Sequence, residues 1–278
     1  MSRTNADTWG LEPGDVVVAD CTVQEHLGGG QHYEAYSAFD ARLLSPVVVK
    51  LLRPGRVDDQ DAVRRLRREI EIVGRLNHPG IVRGLHASLD TPRPYLCLER
   101  IAGPRLFDFV AEHGPVDSAV VLPLAVEIAA ALHYLHGDGF VHFDVTPANV
   151  ILGSPARLID LSLARAMDDA AYVGPGTGTR GYVAPEVQGR DRGSAPGPAS
   201  DIWSLGATLA YALTSHAPRE GMGWPSHVPD GLKALVLSML SPDPADRPTA
   251  GAVFDAADSL AAALPAPRID FFNPRGRA

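Results

Sequence analysis

The chain has 278 residues, 25 basic and 33 acidic, for a formal net charge of −8, with 45% hydrophobic and 21% charged residues. That is enough apolar material for one large or two modest cores, which excludes disorder as the main state, and the mild acidity argues against a general nucleic-acid binder. Two cysteines are too few for a disulfide framework, no run of 18 or more uninterrupted apolar residues suggests a membrane-crossing helix, and Met1-Ser2-Arg3-Thr4-Asn5 lacks a signal-peptide pattern, so a cytoplasmic protein is expected.

In chain order, residues 16–19 and 21–27 read as strands ending in Gly28-Gly29-Gly30, and 35–39 as the return strand of that hairpin. The β-branched run 46–51 is a further strand. Over 58–76, Val63, Leu66, Ile70, Val73 and Leu76 recur at helical spacing, and Asn77-His78-Pro79-Gly80 ends that helix. Two more strands follow at 85–88 and 95–100. After Ala102-Gly103-Pro104 the pattern turns helical: a short helix over 106–112, then a long one over 118–136 with Ser118 as its N-cap and Leu124, Ile128, Ala131 and Leu135 as its buried stripe. Short strands are expected at 140–142, 150–152 and 157–159, a loop over 168–180, a surface loop over 189–198, and helices over 202–214, 232–240 and 252–264. A sheet-rich half before a helix-rich half is an α+β layout with two lobes, and the crease between lobes is the expected ligand site.

Several residues carry chemistry. All but two of the basic residues are Arg, so Lys50 and Lys233 stand out, and Lys50 lies on a strand twenty residues after Gly30. A glycine-rich hairpin lets backbone N–H groups approach phosphates, although three glycines also make an ordinary turn. An ammonium in a crease holds phosphate oxygens as a point charge; Glu69 on the following helix is its candidate partner, and a solvated strand lysine is the alternative. In Val141-His142-Phe143-Asp144-Val145-Thr146-Pro147-Ala148-Asn149-Val150, and eleven residues later in Leu158-Ile159-Asp160-Leu161-Ser162, two Asp and one Asn arise from adjacent turns. Such oxygen ligands suit Mg²⁺ beside substrate phosphates and leave a carboxylate to accept a hydroxyl proton; singly, Asp144 and Asn149 could equally cap turns. His133 and His136, at i and i+3, are read as packing, as is His142. Neither cysteine is near a plausible metal partner set, and both are read as small buried residues.

Together these residues resemble the eukaryotic-like (Hanks-type) protein kinase family, in order over about residues 15–263. Val47-Val48-Val49-Lys50 resembles the V-A-I-K strand, Glu69 its helix partner, His142–Asn149 the catalytic loop and Asp160-Leu161-Ser162 the D-F-G site. Gly178-Thr179-Arg180-Gly181-Tyr182-Val183-Ala184-Pro185-Glu186 resembles the end of the activation segment. Asp201-Ile202-Trp203-Ser204-Leu205-Gly206 is similar to the start of a central helix, and Arg247 to the arginine that pairs with Glu186. The resemblance implies a bilobal protein-kinase-like fold: a small antiparallel-sheet N-lobe with one helix over 15–98, a hinge over 99–104 and a larger, mostly helical C-lobe over 105–264. Residues 1–14 would be an N-terminal extension and 265–278 a C-terminal tail.

It implies ATP as the phosphate donor, bound by Leu27, Gly28, Gly29, Gly30 and Ala35, with Leu98 as gatekeeper and Glu99 and Ile101 at the adenine. Lys50, held by Glu69, would grip phosphates. Asn149 and Asp160 would hold Mg²⁺, Asp144 would accept the substrate proton, and Thr146 would add a hydroxyl hydrogen bond. The partner is a protein substrate with Ser or Thr hydroxyls, with no nucleic acid and no membrane. Four family positions depart: Tyr33 for the third loop glycine, Phe143 for the catalytic-loop Arg, Thr146 for the Lys two residues after the catalytic Asp, and Ser162 for the D-F-G glycine. Three functions compete: an active Ser/Thr protein kinase, a pseudokinase and a small-molecule kinase. The segment Gly178–Glu186 speaks against the last.

Overall fold

Alternating apolar residues in the first hundred positions build one antiparallel sheet. Its strands are β1 (Val16–Val18), β2 (Cys21–Gly29), β3 (Tyr33–Asp40), β4 (Ser45–Leu52), β5 (Gly84–Ser88) and β6 (Tyr95–Glu99), in spatial order β1-β2-β3-β4-β6-β5. The computed structural model describes residues 7–189, 194–218 and 223–263. Side chains alternate between faces along a strand, so β4 sorts its residues cleanly. Val47, Val49 and Leu51 enter a cluster with Val17, Cys21, Val23, Tyr36, Ala38 and Cys97. Val48 and Leu52 face the other way, into the large core shared with the helix α1 (Gln60–Arg75). Lys50 lies on that second face, and the pleat therefore aims the chain's rare lysine at α1.

The helix α1 starts where Asp59 accepts the N–H groups of Asp61 and Ala62, satisfying two of its orphan donors. It buries Ala62, Leu66, Glu69, Ile72 and Val73. The described part of the N-terminal segment packs on the sheet: the Trp9 indole donates to the Leu52 carbonyl at 2.7 Å, and Trp9 and Leu11 cover the smaller cluster.

Beyond Glu99 the chain is mostly helical: α2 (Leu106–His113), α3 (Ser118–Gly137), the single turn α4 (Met167–Ala170), α5 (Pro198–Thr214), α6 (Asp230–Met239) and α7 (Ala250–Ala262). Two-residue strands β7 (Phe140–Val141), β8 (Val150–Ile151), β9 (Arg157–Leu158) and β10 (Arg165–Ala166) pair as β8 with β9 and β10 with β7. By length and hydropathy α3 would suffice to cross a membrane. Here Leu124, Ile128, Ala131 and Leu135 are buried as the periodicity predicts, in the core that α5 and α7 share. Each of the buried Leu and Ile side chains contributes ~1.5–3 kcal/mol.

Three expectations shift. Asp117, not Ser118, caps α3, accepting the Ala119 N–H at 2.7 Å, while Ser118 is buried. The helix α5 begins at Pro198, before the expected residue 202, because the fixed φ of proline suits a first helical position. The loop expected over 168–180 opens with α4, whose Ala170 is buried. The expected tail over 265–278 lies outside the described residues.

Candidate active site

Lys50 is 9% exposed, and its ammonium is hydrogen bonded to both Glu69 carboxylate oxygens and to Asp160 Oδ1, each at 2.9 Å. Strand, helix and C-lobe turn thus meet at one cation. Burial works against this charge, but the Asp160 and Glu69 carboxylates outweigh it and hold the lysine above its usual range. The reverse holds for Asp160: burial opposes its charge, and Lys50 with the Ser162 hydrogen bonds keeps it well below the usual carboxylate range. Asp160 takes a positive φ of 63°, which turns its carboxylate toward the sheet lobe.

The glycine-rich hairpin roofs this point. Gly28 has φ +99°, and a Cβ on Gly29 would run into the Tyr33 carbonyl, so the turn closes only with glycine there. Tyr33 itself lines the cavity under the hairpin. Its ring lies beneath, 4.5 Å from the Lys50 ammonium. Under the hairpin lies a cavity of about 400 Å³ lined by Leu27, Gly28, Gly29, Gly30, Ala35, Lys50, Asn149 and Asp160. A deeper one of about 250 Å³ adjoins it, reaching Glu69, Leu98, Glu99 and Ile101. Every residue expected to contact nucleotide or metal therefore lines one continuous cleft. Sequence reasoning did not single out Val48, Val82, Ile151 and Ile159, which supply much of its apolar wall, nor Arg105 at its mouth. Val48 alternates with named strand residues and Ile159 adjoins Asp160, whereas Val82 and Arg105 lie outside the strands and carry no such signal.

Asp144 is half-buried and sits in a web of donors. Asn149 Nδ2 donates to its carbonyl at 2.9 Å and to Oδ2 at 2.8 Å, and the Thr179 hydroxyl donates to Oδ1 at 2.7 Å. Burial raises its pKa above the usual aspartate value, against the Thr179 hydrogen bond and the nearby His142 and Asn149. The loop that carries it is pinned from beneath. Asp201 accepts the backbone N–H groups of His142 and Phe143, both at 2.8 Å, and the His136 ring at 2.9 Å. This matters because Phe143 has φ +64°, strained for a non-glycine residue. His136 is thus a loop support rather than plain packing. Thr146 differs from expectation: it is 2% exposed, and its hydroxyl is buried without a hydrogen-bond partner among the described residues, so it is not offered to the cleft.

The activation segment rests on apolar contacts. Phe143, 4% exposed, clusters with Val141, Ala170, Ala184 and Val187, flanked by Leu163, Met167, Val173, Val183 and Trp203. Gly178, at φ +85°, passes the Phe143 carbonyl so closely that a Cβ would approach it to 2.9 Å. Glu186 and Arg247 form the buried, two-pronged ion pair expected of them, at 2.8 and 2.9 Å, with Ser200 donating to Glu186 at 2.7 Å. Arg247 also donates to the Ser241 and Ala199 carbonyls and stacks over Trp203. The expectation for the cysteines fails in one respect: both are buried, but Cys21 and Cys97 lie with Asp40 and His86 in a single cluster.

A strained, pinned loop carrying Asp and Asn, facing a strand lysine across a glycine-roofed cleft between two lobes, defines a protein kinase domain. The family model described as "Protein kinase domain" matches residues 21–257, and the chain belongs to that family. It is 32% identical over 248 residues to the serine/threonine-protein kinase PknB of Mycobacterium leprae, covering 80% of this chain and 39% of that protein. It is 34% identical over 211 residues to PknB of Mycobacterium tuberculosis, covering 71% and 33%. Over 237 residues it is 32% identical to PknL of Mycobacterium tuberculosis, covering 84% and 56%. The chain therefore spans about a third to a half of the length of these relatives.

Proposed function

We propose that this chain transfers the γ-phosphate of ATP to Ser or Thr hydroxyls of a protein substrate, and that it does so without requiring phosphorylation of its activation segment. The observation that carries the first part is the ionic contact of Lys50 with Glu69 and Asp160, made beside the Asp144–Asn149 pair in one cleft. The donor set fits a nucleotide with its metal: Gly29 leaves no room for a Cβ against the Tyr33 carbonyl and Gly28 takes a left-handed φ, Lys50 supplies a cation, and Asp160 and Asn149 supply hard oxygen atoms suited to Mg²⁺. When bound, Mg²⁺ supplies charge neutralisation at the phosphate oxygens.

The chain's own residues do the rest by positioning. Lys50, kept charged and oriented by Glu69, holds phosphate oxygens. The apolar walls Val48, Val82 and Ile151 take the adenine face, with Glu99 and Ile101 along its edge. Asp144 receives the proton of the substrate hydroxyl at its carboxylate, while Asn149 and Thr179 fix the orientation of that carboxylate. Thr179 thereby joins the substrate shelf to the proton acceptor. Proximity and charge placement of this kind account for much of the barrier reduction in phosphoryl transfer.

Support for the regulatory part is the Phe143 cluster: burying apolar side chains can order the segment where an arginine would otherwise need a phosphate partner. A phosphate switch is favoured by one observation. Arg65, Arg68 and Arg165 lie close enough that burial and mutual repulsion push Arg165 down to about 10, a cationic patch able to take an anion. The buried Thr146 hydroxyl favours a pseudokinase. One experiment separates these readings. Incubation with ATP and Mg²⁺ and a generic protein substrate, followed by mass spectrometry, should find phosphoserine or phosphothreonine, with the rate changing less than tenfold after phosphatase treatment. Nucleotide binding without transfer would establish the pseudokinase. A larger loss on phosphatase treatment would establish the switch.

A further inference from the structure

Apart from the cleft, the described residues hold one concentrated set of metal-ligating side chains. Cys21 Sγ, Asp40, His86 and Cys97 Sγ present ligand atoms that all lie within 4.8 Å of one another. We propose that these four residues form a structural zinc site that closes the curled sheet of the N-lobe. The proposal is independent of the kinase reading.

The donors arrive as two cross-strand pairs. Cys21 faces Asp40 between β2 and β3, and His86 faces Cys97 between β5 and β6. In sheet order those pairs are separated by β4, so only the curl of the sheet brings them together. The cluster leaves no local trace along the chain, since no two of the four residues share a short motif spacing.

Each oxygen or nitrogen ligand is already anchored by its outward atom. Asp40 Oδ1 accepts the Arg42 and Leu43 N–H groups at 2.8 and 3.0 Å, leaving Oδ2 turned toward the cluster. His86 Nδ1 meets the Tyr95 hydroxyl at 3.2 Å, leaving Nε2 turned inward, 2.8 Å from Asp40 Oδ2. Such outer partners orient ligands and set the imidazole tautomer in metal sites. The Cys21 and Cys97 sulfurs lie within 4.8 Å of each other and of the Asp40 and His86 ligand atoms. A lone Asp–His pair would be an ordinary buried hydrogen bond. Two thiols converging on the same point are what an ordinary pair does not explain.

Two sulfurs, one imidazole nitrogen and one carboxylate oxygen suit a borderline-soft d¹⁰ cation in tetrahedral geometry. In that geometry ligand atoms stand ~3.3–3.8 Å apart, given bonds of ~2.0–2.3 Å, so closing around zinc needs a contraction of about 1 Å at the widest pair and an opening of about 0.5 Å between Asp40 Oδ2 and His86 Nε2, now 2.8 Å apart. All four positions are filled by protein, which makes the site structural rather than catalytic. Binding would release one proton from each thiol to solvent, with no change of oxidation state. Two thiolates and a carboxylate leave a small negative excess over the dication, and the Arg42 guanidinium, near enough to act on Cys97, offsets it.

The test uses the reduced full chain titrated with Co²⁺ and then Zn²⁺. The expected result is one equivalent of Co²⁺ showing intense tetrahedral ligand-field absorption and thiolate charge transfer, displaced by Zn²⁺. Native mass spectrometry should count one zinc per chain. Because Cys21 and Cys97 are the chain's only cysteines, thiolate charge transfer identifies this cluster and not the nucleotide cleft. Tyr95→Phe should weaken zinc by roughly tenfold or more, Cys97→Ser should lower the charge-transfer intensity, and Cys21→Ser/Cys97→Ser should abolish it. A parent chain with no thiolate charge transfer would overturn the proposal even if the variants fail to fold. So would a Cys21→Ser/Cys97→Ser variant that retains its zinc.

Discussion

Removing the Lys50 ammonium would leave Glu69, 1% exposed, without its cation. Breaking one side of such a buried pair costs about 3–5 kcal/mol. Lys50→Met is therefore expected to lose phosphate transfer and to melt well below the parent, and Lys50→Met/Glu69→Leu to regain most of the stability but none of the transfer. Calorimetry with a transfer assay checks both; restored transfer in the double variant would dismiss the role of Lys50. At Asp144 the sign can be worked out. Its carboxylate must be ionised to accept a proton, and its pKa is raised, so transfer should fall as pH drops through a value above the ordinary aspartate range. The Thr179 hydrogen bond pulls that pKa down. Thr179→Val should accordingly shift the acid limb of the pH–rate profile to higher pH. An unmoved limb would mean that this hydrogen bond does not act in catalysis.

At the scale of elements, the activation segment depends on the ring of Phe143. Phe143→Ala removes the centre of an apolar cluster and should destabilise the C-lobe by roughly 3–5 kcal/mol, and hydrogen exchange should rise across Leu163–Val187 before it rises in α3. Equal exchange in parent and variant would separate the ring from the order of the segment. Most elements were legible in the sequence from local pattern: β4 is a β-branched run and α3 repeats its apolar residues every three or four positions. The same helical repeat in α1 puts Glu69 on the buried face with Leu66, Ile72 and Val73, opposite Lys50. The turn α4 and the strand β10 were not legible, since four and two residues are too short to show a period and are held by contacts with β7. Asp201 was recognised only as a helix start; its grip on the Asp144 loop spans some 58 residues of sequence and leaves no local trace. The Cys21–Cys97 cluster was illegible for the same reason.

At the scale of the whole molecule, Glu186 and Arg247 tie the end of the activation segment to the far side of the helical lobe. Arg247→Ala should cost about 3–5 kcal/mol, which a melting temperature within a degree of the parent would refute. Burial opposes the Glu186 charge, but Arg247 and Ser200 together hold its folded-state pKa below the unfolded value. The stability this adds is complete above the unfolded pKa and is lost as pH falls through the folded one. The gap between parent and Arg247→Ala should therefore narrow in acid. The two lobes, joined between Glu99 and Leu106, close over one cleft, and the account as a whole turns on what happens there. The most direct measurement is phosphate transfer from ATP in the presence of Mg²⁺, followed by mass spectrometry of the chain and a generic protein substrate, for the parent and Asp144→Asn side by side. The account predicts phosphoserine or phosphothreonine with the parent and none with Asp144→Asn, while both bind ATP with Mg²⁺. Equal transfer by the two proteins, or nucleotide binding without any transfer by the parent, would contradict it.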